Sequence, residues 1–360
     1  MADRYVRAVA AEISCWSEIE SSAAIDTIYF GGGTPSLLTV GQLKSILKVV
    51  SDRFDVAPDA EITLEINPGD GGESADAQRK TMSGWRLLGI NRASFGAQTF
   101  DDRELKMLGR THDSGDISRT FQHLRDAGFD NINFDLIAAL PGQTREGWKR
   151  NLDEALQLRP EHLSLYLLDV HEGTPLHDQI HRGMRPLADE DLAAEMYALM
   201  VERVCAAGYE HYEISNFCRP GFESRHNTKY WSGAPYYGFG NSAHSYDGDA
   251  GSAAPVRRWA NERDVAKYVE LVEKGQSPIV ERTELTEEEV RSEAIFLGLR
   301  LMRGIDLNSY RARFGTNLRE QFNGELDRLE TAGLVALAEE RLKLTTRGAL
   351  LSNEVFASLA

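Results

Sequence analysis

The chain has 360 residues and carries 40 Lys+Arg against 56 Asp+Glu, a net charge of −16, with three cysteines. That length accommodates one large α/β domain with a small appendage, and the acidic balance excludes the clustered basic surface that nucleic acid or anionic lipid requires. No window approaches 18 apolar residues and Met1-Ala2-Asp3-Arg4 opens no signal peptide, so the reading is a cytoplasmic protein with at most peripheral membrane contact.

The pattern opens on a helix, Tyr5 to Ile19, with Val6, Val9, Ala10, Ile13 and Trp16 on one face. A strand ordinarily precedes such a helix in a βα series, and none does here. A short apolar strand, Ile25 to Phe30, then runs into Gly31-Gly32-Gly33-Thr34-Pro35. Successive glycines can take positive φ and leave N–H groups bare for a charged small molecule. The segment matches neither the Walker loop nor Gly-x-Gly-x-x-Gly, and alone it is more often the chemistry of a plain βα turn.

Further strands are expected at Glu61–Ile66, Asn91–Phe95, Asn131–Ile137, His162–Leu168 and Tyr212–Phe217. Helical periods at Val40–Phe54, Asp76–Leu88, Ser114–Ala127, Glu146–Leu158 and Glu190–Gly208 alternate with them. This alternation predicts an α/β fold with βα units around a parallel sheet, a barrel or partial barrel that binds ligands at the C-terminal strand ends. Gly31–Thr34, Glu65, Asn67, Gln98 and Asp135 fall at those ends.

Cys15 and Cys205 sit in helical patterns and are expected to be buried, inert thiols; with Cys218 they have neither disulfide nor metal-knuckle spacing. His177 and His181 stand four apart, but the stretch Pro175 to Pro186 reads as loop, so solvated histidines are expected. The style changes near residue 275, which divides the chain into a βα region at 1–275 and a C-terminal domain at 276–360. In the latter, helices lead to a β-ribbon at Gly333–Leu337 and Leu342–Thr345 and then a final helix, a winged-helix-like order. From Glu281 onward, 11 basic against 14 acidic residues give −3, which argues against DNA binding.

Five ordered segments carry a resemblance: Gly31-Gly32-Gly33-Thr34-Pro35-Ser36, Glu65-Ile66-Asn67-Pro68, Gly96-Ala97-Gln98-Thr99-Phe100, Leu108-Gly109-Arg110, and Asn133 through Thr144. Together they resemble the radical S-adenosylmethionine family that holds oxygen-independent coproporphyrinogen III oxidases and HemW-type heme chaperones, over essentially the whole chain. The resemblance implies a partial radical-SAM barrel lacking its first strand, with S-adenosylmethionine, a 4Fe–4S cluster and heme as family cofactors. It implies S-adenosylmethionine contacts at Gly32, Gly33, Thr34, Glu65, Gln98, Arg110 and Asp135. The chemistry suits them: carboxylates accept from ribose hydroxyls or an ammonium, and an arginine forks onto a carboxylate. Glu65 and Asp135 alone would equally suit a helix cap or a salt bridge.

The family's Cys-x3-Cys-x2-Cys, which lies just upstream of the helix corresponding to Tyr5–Ile19, is absent from this sequence. Three thiolates are what such a cluster needs, so this chain is expected to bind none. A start placed too late, or a real loss, would account for the absence.

A second motif, His226-Asn227-Thr228-Lys229-Tyr230-Trp231, is similar to one in the heme-chaperone branch and absent from the oxidase branch. By that resemblance His226 supplies an axial nitrogen to heme, with Asn227, Tyr230, Trp231 and the glycine-turn residue His244 around it. Heme and a heme-accepting protein, such as a respiratory-chain component, are the implied partners. The alternative implied activity is coproporphyrinogen III oxidation.

Overall fold

The computed structural model describes residues 1–16, 24–69, 74–186, 189–248 and 255–359. They group into two compact units. One comprises Ile28–Thr39 and Glu61–Glu223; the other comprises Met1–Thr27, Val40–Ala60 and Ser224–Ala360. The expected helix Tyr5–Ile19 is observed as Ala2–Cys15, and its last expected turn lies outside the described residues.

Seven strands form one sheet: β1 (Ala24–Phe30), β2 (Asp55–Ile66), β3 (Arg92–Gln98), β4 (Ile132–Ala138), β5 (His162–Leu167), β6 (Glu210–Glu213) and β7 (Asn216–Cys218). Their order is β1-β2-β3-β4-β5-β7-β6, and β2 through β5 pair in parallel. The alternation along β3 shows why these segments are strands. Ala93, Phe95 and Ala97 are fully buried, and Phe95 meets Phe134 of β4 edge-on at 4.6 Å with Phe121 of the helix Ser114–Asp126 beyond it. The opposite side chains, Arg92, Ser94 and Gln98, are polar, which gives the sheet one apolar and one polar face.

One expected strand is corrected. Tyr212–Phe217 is a tight hairpin, with β6 and β7 antiparallel and β7 antiparallel to β5. The buried Glu213 carboxylate makes the turn by accepting from Ser215 N–H at 3.0 Å and from Asn216 Nδ2 at 2.6 Å. Pro175–His181 is likewise a helix rather than loop, started by Pro175 at its first position and by the Thr174 side chain accepting from His177 N–H.

In the other unit, β8 (His244–Asp247), β9 (Arg257–Asn261) and β10 (Ile279–Glu284) form an antiparallel sheet in the order β10-β9-β8. The helix Glu287–Arg300 starts in a capping box between Thr286 and Glu289. The expected ribbon appears as β12 (Val335–Ala338) and β13 (Arg341–Leu344), joined by a short third strand, β11 (Ile305–Asp306), against β13. The helix Ala2–Cys15 is anchored by buried Glu12, which accepts from Gly240 N–H at 2.9 Å, Asn261 Nδ2 at 2.6 Å and Tyr268 OH at 2.5 Å. Burial raises the Glu12 pKa, and those three hydrogen bonds oppose the rise.

The cysteines correct a second expectation: Cys15 and Cys205 are exposed, and only Cys218 is buried. Both exposed thiols lie at or next to the last residue of their helices, off the buried face carried by Val6, Val9 and Ile13 in one and by Met196, Met200 and Val204 in the other. No helix among the described residues is long and apolar enough to cross a membrane.

Candidate functional site

A cavity of about 280 Å³ opens at the C-terminal ends of the parallel strands. Gly33, Thr34 and Pro35 line it from the turn after β1, Glu65, Ile66 and Asn67 from the end of β2, and Ser94, Gly96 and Gln98 from β3. Asp135 of β4 and Arg110, beyond the short helix Asp102–Met107, complete the wall. Six residues expected from the sequence, Gly33, Thr34, Glu65, Gln98, Arg110 and Asp135, are thereby brought together. Gly32, with φ +86°, takes another role: its N–H donates to Glu65 Oε2 at 3.1 Å.

Glu65 is held in place. Its Oε1 accepts from Tyr29 OH at 2.8 Å, and a Cβ on Gly31 would lie 2.4 Å from Tyr29 Cε1 and 2.8 Å from Glu65 Oε1. The first glycine of the run is there because the carboxylate and phenol fill the space a side chain would need. A Cβ on Gly33 would meet nothing within 4 Å, so that stretch of backbone faces open space. Gln98 has φ +63° and sits where the β3–β4 register shifts. A bulge and a left-handed backbone at a non-glycine residue aim this side chain back over Gly96, where a Cβ would lie 2.4 Å from Gln98 Nε2.

Behind the wall runs a buried polar network that the sequence reading missed. Asn133 Nδ2 donates to Asp135 Oδ1 at 2.9 Å and to Ser94 Oγ at 2.8 Å, while Ser164 Oγ donates to Asn133 Oδ1 at 3.2 Å. His162 Nδ1 lies 2.6 Å from Asn133 Oδ1, and its Nε2 lies 2.7 Å from Tyr212 OH. Burial lowers the pKa of this histidine, so the ring is neutral at ordinary pH and its Nδ1–H donates to Asn133. Asp135 is pushed up to about 6, chiefly by burial, against the opposing hydrogen bonds from Asn133 and Ser164 and the charge of Arg92. The only available signal was alternation: Asn133 and Asp135, like Ser94 and Gln98, occupy every second position of their strands.

Comparison with known proteins joins this geometry to a family. The profile of the Radical SAM superfamily matches residues 17–155, and that of the HemN C-terminal domain matches residues 285–351. The heme chaperone HemW of Bacillus subtilis is 34% identical over 357 residues, covering 99% of this chain and 91% of that protein. HemW of Mycobacterium tuberculosis is 35% identical over the same length, covering 99% and 86%. The chain belongs to the HemW family. The fold agrees: the structure of coproporphyrinogen III oxidase (HemN) from Escherichia coli superposes with a TM-score of 0.82 at 23% identity, covering 99% of this chain and 83% of that one.

Radical SAM kinship implies two cofactors, and the HemW-family chain fits them unequally. For S-adenosylmethionine the donor set is apt. Among the described residues the Arg110 guanidinium has no protein ion pair, Gly33 leaves open backbone, and Glu65 and Asp135 face the same space. A 4Fe–4S cluster does not fit. Cys15, Cys205 and Cys218 sit on two different helices and on β7. Among the described residues, no group of three His, Cys, Asp or Glu is placed to hold a metal ion.

The second motif folds as the helix Arg225–Ser232, capped by Ser224 accepting from Asn227 N–H. His226 and Tyr230 face one another one turn apart. His226 Nε2 lies 2.9 Å from Tyr230 OH, and its Nδ1 lies 2.9 Å from Thr27 Oγ1. Both imidazole nitrogens are therefore engaged. Trp231 is covered by Arg300, whose guanidinium carbon is 4.3 Å from its ring, and the Trp231 indole N–H is buried without a partner. Tyr236 joins the cluster edge-on to Tyr230 at 4.6 Å and stacks on Tyr246 at 6.1 Å. His244 is not in a turn: it is the exposed first residue of β8, opposite Ala260. His177 and His181, rings 6.0 Å apart, have no third ligand among the described residues.

Proposed function

We propose that this chain is a cytoplasmic heme chaperone that holds S-adenosylmethionine in the strand-end cavity and heme at the helix Arg225–Ser232, then passes the heme to an acceptor such as a respiratory-chain protein. The observation that carries the reading is the convergence of Glu65, Gln98, Arg110 and Asp135 on one cavity in a chain of the HemW family. S-adenosylmethionine, when bound, supplies a sulfonium whose bonds to carbon are weakened toward cleavage. The residues here position it. Arg110 suits the methionyl carboxylate, Glu65 and Asp135 suit the ammonium or the ribose hydroxyls, and the Gly33 backbone allows close approach. The three thiols of this chain do not converge, so they would not hold an iron–sulfur cluster.

At the helix, His226 supplies the axial nitrogen and Tyr230, Trp231 and Tyr236 the apolar walls, with Asn227 alongside. Iron coordination requires one imidazole nitrogen to leave its hydroxyl partner, a loss of about 0.5–1.5 kcal/mol. Heme titration followed at the Soret band tests the proposal: a saturable shift is expected, at least tenfold weaker in His226→Ala and unchanged in His171→Ala, which removes an exposed histidine. Equal affinity in the wild type and His226→Ala removes the axial role. Consumption of coproporphyrinogen III by the protein would favour the oxidase instead.

A further inference from the structure

Gln98 lines the cavity from the end of β3 on a strained backbone. Its φ is +63°, and Thr99 N–H donates to Ala97 C=O at 2.7 Å across it, which makes Gln98 the central residue of a γ-turn. A γ-turn with positive φ is rare and strained for a residue with a side chain, and its single bent hydrogen bond is too weak to hold it. Such a conformation persists only where the surroundings impose it.

Here the surroundings converge on one oxygen. Thr99, fully buried, donates its hydroxyl to Glu104 Oε2 and accepts from Asp101 N–H at 3.1 Å; the hydroxyl oxygen also lies 3.1 Å from Asn151 Oδ1. Phe100 N–H donates to that Asn151 Oδ1 at 2.5 Å. Asn151 Nδ2 in turn donates to Glu104 Oε2 at 3.4 Å, and Gln143 Nε2 donates to it at 3.0 Å. Glu104 Oε2 thereby ties together the turn after β3, the turn after β4 and the helix Arg145–Leu158. Thr99, Gln143 and Asn151 are buried, so losing that oxygen would strand donors on all three sides. Neither Glu104, Thr99, Gln143 nor Asn151 lines the cavity, and Gln98 is the member of the turn that does.

We infer that Glu104 is a positioning residue for the cavity: by clamping the turn behind Gln98 it imposes the strained backbone that aims the Gln98 amide at the ligand. This rests on the cavity reading given above. A glutamine amide on a free backbone would sweep many positions, and the clamp removes that freedom before the ligand arrives. Glu104 touches no ligand and acts through Gln98.

Two measurements test the clamp, the first without ligand. In 15N-labelled protein the Gln98 side-chain amide signal, assigned by its loss in Gln98→Ala, is expected away from the position of a solvated glutamine. Glu104→Leu should collapse it toward that position, and Thr99→Val, which removes the hydroxyl at nearly constant shape, should move it the same way. An unmoved signal in Glu104→Leu overturns the inference; should that variant not fold, an unmoved signal in Thr99→Val does so. The second measurement is calorimetric titration with S-adenosylmethionine through a double-mutant cycle, with Thr99→Val replacing Glu104→Leu if the latter does not fold. Glu104→Leu and Gln98→Ala are each expected to weaken binding about tenfold, and the double variant also about tenfold, because the clamp then has nothing left to aim. A loss of about a hundredfold in the double variant would mean independent contributions and overturns the inference. Wild-type affinity in folded Glu104→Leu overturns it too. A Gln98 signal that moves in Glu104→Leu, in a protein that binds no S-adenosylmethionine, sustains the clamp and overturns the cavity reading alone.

Discussion

The strand-end cavity draws its residues from the ends of separate strands, from Gly33 to Asp135, whereas His226, Asn227, Tyr230 and Trp231 share two turns of one helix. The dispersed site is the open one. Its carboxylates are oriented by Tyr29, Gly32 and Asn133, and its Arg110 keeps its charge free for a ligand. The contiguous site is closed on itself, with both nitrogens of His226 and the face of Trp231 already occupied. The first is preorganised and the second must rearrange, so removing a protein partner should have opposite effects at the two.

The largest expected effect is at Arg110. Arg110→Ala removes charge-assisted hydrogen bonds worth about 1.5–3 kcal/mol and should weaken S-adenosylmethionine by up to about a hundredfold in calorimetry. Its heme titration should stay as in the wild type, and a parallel loss there would dissolve the comparison. His226→Ala comes next, at least tenfold weaker for heme, about 1.4 kcal/mol, with S-adenosylmethionine affinity untouched.

The pH response sharpens the contrast further. Asp135 titrates near about 6, above the ordinary aspartate range, so it is an anion above that pH and a neutral acid below. Affinity for the cationic ligand should fall severalfold as pH drops from 7.5 to 5, and Asp135→Asn should flatten the profile at the weak end. A profile equally steep in the variant would place the titrating group elsewhere. The smallest effect has the opposite sign. Tyr230→Phe frees His226 Nε2 and should strengthen heme about threefold, within the value of one neutral hydrogen bond. Weakening there would mean that the hydroxyl supports the bound state.

Much of this was legible because local pattern and tertiary role coincide. The helices showed in their apolar period, and Gly31 through Thr34, Glu65, Gln98 and Asp135 showed as polar residues where strands end. What was hidden depends on partners remote in the chain. The β6–β7 turn relies on Glu213 being buried, and nothing in the run from Tyr212 to Phe217 announces a reversal. The left-handed backbone of Gln98 follows from a register shift against β4 that no single strand contains. His162 reads as an ordinary strand residue until the parallel register sets it beside Asn133. Cys15 and Cys205 misled because lying within a helical pattern does not put a residue on its buried face, and both thiols stand beside that face.

Glu12 has a kinetic consequence. Detaching the helix Ala2–Cys15 alone would strand the amide of Gly240, the amide group of Asn261 and the hydroxyl of Tyr268, all inside their own unit. A fraying motion that abandons three donors at once is disfavoured against opening the whole unit. Amide protons in the middle of this helix should therefore exchange with solvent at the rate of β9 and of the helix Val265–Glu273. A segment near the start of the chain would then report the global opening of its unit rather than local fraying.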